Sequence, residues 1–227
     1  HKLVLQGLFG TVNRVVSTRQ LIDKKKLAQL KVMCLNLKYP ESEAKKVYGV
    51  KYFEELEYLT QNTARNKYIR NLALALKGNT LLLFQLVEKH GEILFNLIKE
   101  KADPKRKVFF VYGGTETDDR EKIRAITEKS DNAIIVASFG TFSTGINIRN
   151  LHNIVFSSPT KSPIRVLQSI GRGLRVGDKK DSATVYDISD DLSYKDKKNF
   201  TLTHFQERVG IYNREGFNYE IHTVELK

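Results

Sequence analysis

From about residue 79 onward, short apolar runs alternate with amphipathic stretches, and turn-forming residues fall between them. That rhythm leaves few folds open. Thr80 to Leu86 (TLLLFQL), Val108 to Tyr112 (VFFVY) and Ala133 to Ala137 (AIIVA) are apolar almost throughout, as strands covered on both faces must be. Ile154 to Phe156, Ala183 to Ile188 and Tyr219 to Val224 extend the series. Between them the spacing predicts helices over Glu88 to Lys101 and from Asp118 to about Lys129, the latter opened by an Asp118/Glu121 capping box. Asp103-Pro104 and Gly113-Gly114 supply the stops and turns. Strand, helix, strand in repetition implies an α/β domain with a parallel sheet and helices on both faces.

The first sixty residues are richer in Lys, Glu and Tyr, with a strand-like stretch at Lys31 to Leu37 (KVMCLNL). They read as an interdomain connector and lid, residues 1–60, ahead of a main domain over 61–227. Gln61 to Lys77 sets Ile69, Leu72, Ala73 and Leu76 at helical spacing, so that helix should pack on the sheet. The chain opens HKLVLQGLFG, with neither Met nor the apolar core of a leader, and reads as part of a longer protein.

Charge narrows the partner. Lys and Arg number 38 against 26 Asp and Glu, a net +12 that attracts polyanions and makes nucleic acid the leading candidate. The surplus is concentrated at 161–180, where Lys161, Arg165, Arg172, Arg175, Lys179 and Lys180 face one acid, Asp178. No apolar stretch is long enough to span a bilayer, so a cytoplasmic, membrane-free location is expected. A single cysteine, Cys34, and scattered histidines argue against a soft-ligand metal site. Asp190-Asp191 and Asp118-Asp119 are better read as turn and cap residues than as ligands. Phe200, Phe205, Tyr212, Phe217 and Tyr219 read as core rather than as base-stacking rings.

A phosphate loop of the form G-x-x-x-x-G-K-[ST], in which backbone amides and a lysine neutralise a triphosphate, is absent. The chain has instead Gln168-Ser-Ile-Gly171-Arg172-Gly-Leu-Arg175 after a helix-starting Ser162-Pro163. Arginines three apart share one helical face and can point together at a phosphate. A second cluster, from Ala137 to Ile148 (ASFGTFSTGINI), follows a strand at the edge where open α/β sheets bind ligands. A basic domain that binds nucleic acid without ATP fits these features too. A nucleotide transferase would need the missing lysine-bearing loop.

Four segments in order carry a resemblance to superfamily 2 helicases. SFGTFSTGINIRNLHNIVF resembles that family's motif V and QSIGRGLR its motif VI, the most specific of the four. TLLLFQLVEKHGEIL resembles the motif IV strand and helix, and VYGGTETDDRE the loop carrying a backbone-binding arginine. GLFG and LIDKKKLAQLKV resemble the segment that joins the two motor domains. The resemblance implies a C-terminal RecA-like domain that closes over ATP with Mg2+ held mainly by an N-terminal RecA-like domain of the same protein. Arg172 and Arg175 would then reach the nucleotide phosphates, with Gln168 coupling the cleft to the partner domain. Gly171 would allow close approach, and Gly145 and Asn147 would flank the ribose. Gly113, Thr115 and Arg120, with Ser138, Gly140 and Thr141, would hold the DNA backbone. Asn147 stands where many relatives have Asp, and an amide binds a ribose less strongly than a carboxylate. The resemblance runs closest to helicases that remodel branched DNA in recombination, repair and replication.

Overall fold

The computed structural model describes residues 12–18, 30–143, 148, 150–159 and 183–226. Eight strands form one sheet in the order β1-β8-β2-β7-β6-β3-β5-β4. They are β1 (Val12–Thr18), β2 (Leu30–Lys38), β3 (Thr80–Phe84), β4 (Val108–Val111), β5 (Ile134–Ser138), β6 (Asn153–Phe156), β7 (Ala183–Asp191) and β8 (Asn218–Glu225). Seven run parallel, and only β1, at the edge, pairs antiparallel, with β8. The helices are α1 (Glu41–Lys46), α2 (Tyr52–Gln61), α3 (Thr63–Ala75), α4 (Glu92–Lys101), α5 (Thr117–Glu128), α6 (Phe139–Ser143) and α7 (Phe200–Arg214).

The apolar runs are buried on both faces because alternate residues feed two separate cores. Met33, Leu35 and Leu37 of β2, with Leu82, Phe84, Ile134, Val136 and Val155, pack under α1 to α4. Val32 and Cys34 of the same strand, with Leu81, Leu83, Ile135, Ala137, Ile154 and Phe156, pack under α7 and beside Phe142 of α6. The period-two alternation thus splits each strand between the two layers.

The structure differs from expectation in several places. The strand-like stretch at Lys31 to Leu37, placed within the connector, forms β2, an interior strand parallel to β7 on one side and β8 on the other. Its run of buried residues needs cover on both faces, which only an interior position provides. β1 adds an edge strand the sequence did not announce. The helix expected from Glu88 begins instead with a π-helical turn over Val87–Gly91, and α4 starts at Glu92. Gly91 lies so close to the Phe84 ring that a Cβ there would meet it at 2.5 Å, and the turn accommodates this approach. The capping box is not formed, since α5 begins at Thr117 after Glu116 and places Asp118 and Asp119 inside its first turn. Both carboxylates there still favour the helix dipole. The helix expected over 61–77 forms as α3 (Thr63–Ala75), set off from α2 by Asn62, whose side chain accepts from Arg65 N and so caps α3.

Three buried polar networks join the layers. Asp190, fully buried at the end of β7, accepts from Arg65 Nε at 2.8 Å, Arg65 Nη2 at 3.1 Å and Tyr39 OH at 2.9 Å. Asp187 on the opposite face accepts from Arg208 at 2.9 Å through both Nε and Nη2, and from Tyr212 OH at 2.6 Å. Burial works against the Arg208 charge, but Asp187 more than offsets it and raises the guanidinium pKa. Glu55 of α2 accepts from the backbone N–H groups of Phe200 and Thr201 at 2.9 and 2.8 Å, capping α7 from across the sheet edge. The Asp190 carboxylate is therefore spent on a structural pair. Phe205, Tyr212, Phe217 and Tyr219 are core residues as expected, while Phe200 is 41% exposed.

Candidate nucleic-acid and nucleotide site

Parallel pairing brings the C-terminal ends of β6, β3, β5 and β4 to one edge. Phe84 lies opposite Ser138, Val111 opposite Ala137, and Leu83 opposite Phe156. The loops that leave this edge carry every described residue that the sequence marks for strand binding.

After β4 the chain turns through Gly113-Gly114. Thr115 closes the turn on itself, its N–H donating to Tyr112 O and its hydroxyl accepting from Tyr112 N, each at 3.0 Å. The hydroxyl hydrogen of Thr115 remains for another acceptor. Arg120, one turn into α5 and half-buried, reaches back and donates Nε to Thr115 O at 2.8 Å and Nη2 to Gly113 O at 3.0 Å. Two of its five N–H groups thus fix the loop's carbonyls, and three remain to donate outward. Gly113 is exposed, and a Cβ there would meet nothing within 4 Å, so its glycine is not demanded by crowding. At Gly114 the reverse holds, since a Cβ would lie 2.6 Å from the Tyr112 ring.

After β5, Ser138 caps the short helix α6, accepting from Thr141 N at 3.3 Å, and its hydroxyl lies 2.7 Å from that of Thr141. Gly140 is exposed, Ser138 partly so, and Thr141 only 5%. Thr141 therefore sets the orientation of Ser138 instead of presenting its own hydroxyl. Between these loops, Ser157 Oγ donates to Leu83 O at 2.6 Å, and Ser158 Oγ accepts from Gln85 N at 3.0 Å. Ser158 also meets Nδ1 of fully buried His90 at 3.1 Å. Burial, and secondarily the Arg65 charge, hold the His90 pKa well below its usual value, so the imidazole is neutral. Neither Ser158 nor His90 stood out in the sequence.

The structure brings together Gly113, Thr115, Arg120, Ser138, Gly140 and Thr141 on adjacent strands. Gly145, Asn147, Gln168, Gly171, Arg172 and Arg175 lie outside the described residues. The described chain reaches Pro159 just past the C-terminal end of β6 and resumes at Ala183, the first residue of β7. Among the described residues no group of His, Cys, Asp and Glu is arranged to hold a metal ion. No described helix is long and apolar enough to cross a membrane.

Residues 64–177 match the model of the helicase conserved C-terminal domain, a span that includes both loops and the QSIGRGLR segment. The ATP-dependent DNA helicase UvsW of Enterobacteria phage T4 is 37% identical over 233 residues, a match covering 97% of this chain and 46% of UvsW. The crystal structure of T4 UvsW superposes with a TM-score of 0.76 at 38% identity, over 87% of this chain and 42% of that one. The C-terminal domain of the DEAD-box protein Dbp5 shares the fold, with a TM-score of 0.54 at 13% identity, over 86% of this chain and 89% of that domain. This chain thus spans less than half the length of its curated phage relative.

Proposed function

Since the chain belongs to the helicase conserved C-terminal domain family, we propose that it serves as the second motor domain of an ATP-dependent DNA helicase that remodels branched DNA. The observation that carries the reading is the placement of two loops, Gly113 to Arg120 and Ser138 to Thr141, at the ends of neighbouring parallel strands. That edge is where α/β sheets take ligands, and its hydroxyls, exposed glycines and spare guanidinium N–H groups suit phosphodiester oxygens. The similarity to a DNA helicase of a phage supports DNA as the polymer.

In this reading an N-terminal RecA-like domain would hold most of ATP with Mg2+, this domain would close over the bound nucleotide, and hydrolysis of its phosphoanhydride bond would release the closure. Arg172 and Arg175 donate to its phosphates from this side, and guanidinium pairs of this kind contribute on the order of 10³–10⁵ in rate. Gln168 couples the cleft to the partner domain, Gly171 permits close approach, and Gly145 and Asn147 border the ribose. Ser138, Gly140, Gly113, Thr115 and Arg120 hold the strand, with Thr141 acting through Ser138. Each closure then shifts the strand-binding edge relative to the partner domain.

A ranking of stimulants tests the substrate class. ATP turnover by the full-length protein should rise most with branched DNA, less with single-stranded DNA and least with RNA. Turnover that no nucleic acid stimulates would leave an uncoupled binding module as the better description.

A further inference from the structure

The loops that follow β2 and β7 lie at the same edge of the sheet as the strand-binding loops. The chain leaves β2 through α1 into a turn at Tyr48-Gly49 and leaves β7 through Leu192 into a tight hairpin. In that hairpin Tyr194 and Lys197 exchange backbone hydrogen bonds of 3.1 and 3.2 Å. The two loops meet ring against ring, Tyr48 edge-on to Tyr194 with centroids 5.4 Å apart. Tyr194 is packed against the core, whereas Tyr48 is 48% exposed.

Three ammonium groups converge on this ring pair. Lys195 Nζ lies 5.7 Å from the Tyr48 centroid and 5.6 Å from that of Tyr194, Lys197 lies 5.8 Å from Tyr48, and Lys45 lies 5.5 Å from Tyr194. The aromatic faces hold the cations in place, but they do not neutralise them. Lys45 has Glu41 at 2.7 Å, and neighbouring Lys46 has Glu43 at 2.6 Å. Among the described residues no carboxylate comes within 4.0 Å of Lys195 or Lys197, although Asp196 stands between them in sequence. Lys195 moreover holds a left-handed backbone at φ 52°, a conformation that lysine adopts rarely. A strained turn that gathers unpaired like charges at an exposed surface is costly for folding alone, and strain of this kind collects at binding sites.

We infer that Lys195 and Lys197, held over Tyr48 and Tyr194, form a second contact for the phosphodiester backbone of a nucleic-acid strand. The inference rests on the nucleic-acid reading above and extends it to a part of the edge outside residues 64–177, the span of the helicase C-terminal domain match. From β5 to β7 is three strand positions, about 14 Å at 4.8 Å per strand, so one strand crossing the edge can touch both places. Lysines serve as point charges there, without base selectivity.

The test is the salt dependence of binding a labelled single-stranded oligonucleotide, read by fluorescence anisotropy with the full-length protein. Removing phosphate contacts lowers the slope of log K against log salt by about 0.7 per lysine on single strands. Lys195→Ala with Lys197→Ala should therefore lower it by about 1.4 and weaken binding on the order of tenfold, alike for all sequences. Lys99→Ala with Lys101→Ala removes the same charge from the end of α4, which runs back toward the opposite edge, and should change the slope little. Tyr48→Ala, which loosens the ammonium groups without removing charge, should give a smaller loss in the same direction. If the double variant matches the α4 control while the parent slope stays steep, this inference fails and the motor reading stands. If the parent slope is itself flat, the nucleic-acid reading fails. Displacement of the oligonucleotide by inorganic phosphate at equal phosphate concentration would also overturn the proposal, since it would make the site one for small anions.

Discussion

Arg65→Ala should be among the most damaging single changes in this domain, and the Asp190 network says by how much. Arg65 is fully buried, donates twice to Asp190, and ties α3 to the end of β7 at the ligand edge. Its removal leaves a carboxylate inside the protein with only Tyr39 OH still donating to it, and breaking a buried pair from one side costs about 3–5 kcal/mol. At about 2–4 °C per kcal/mol for a domain of this size, the melting temperature should fall by roughly 6–20 °C. Arg65 Nη1 has no hydrogen-bond partner among the described residues, which lowers the net worth of the pair and points to a second variant. Arg65→Met with Asp190→Leu removes both charges and fills the space, so it should recover most of the loss, because apolar replacement of a buried pair is often neutral. Urea denaturation followed by circular dichroism measures all the variants. A change below about 1 kcal/mol in Arg65→Ala, or a double variant less stable than Arg65→Met, would refute the reasoning.

Two further outcomes follow, one beneath the ligand edge and one at the opposite end of the sheet. His90 is buried neutral with a folded-state pKa well below 6.5, so its contribution is fully present above pH 6.5 and is lost as pH falls toward the folded value. Unfolding titrations should show stability dropping by up to about 1.4 kcal/mol per pH unit below 6.5, and His90→Gln should flatten that drop. Gly78 sits at φ 90°, and a Cβ there would lie 2.5 Å from the His152 ring, so Gly78→Ala should cost about 1–3 kcal/mol in the same unfolding assay.

Much of the sheet was legible because its strands are short, apolar and separated by helices, and such strands can only be covered on both faces. The strand at KVMCLNL was legible, but its interior place in the sheet was not, because it lies beyond the regular alternation, in a stretch rich in Lys and Glu. Its partners β7 and β8 lie some 150 residues or more along the chain, and a pairing at that separation leaves no local signal. The start of α4 escaped for a different reason, since the contact of Gly91 with Phe84 is tertiary. At the site, the resemblance to the helicase family pointed to Gly113, Thr115, Arg120 and Ser138, but only coordinates reveal that Arg120 clamps its own loop and that Thr141 turns inward. The Tyr48 and Lys195 cluster was invisible in sequence because two loops about 147 residues apart build it. A positive backbone angle at a lysine is likewise a property of the fold.

The measurement closest to the central claim is ATP turnover by the full-length protein carrying Arg175→Ala or Arg172→Ala, with DNA affinity measured in parallel. The expected result is a fall in turnover of about a hundredfold or more, with DNA affinity close to the parent value. Turnover that survives both substitutions, or DNA binding lost in step with it in a folded protein, would contradict a motor domain that reaches across a cleft to ATP.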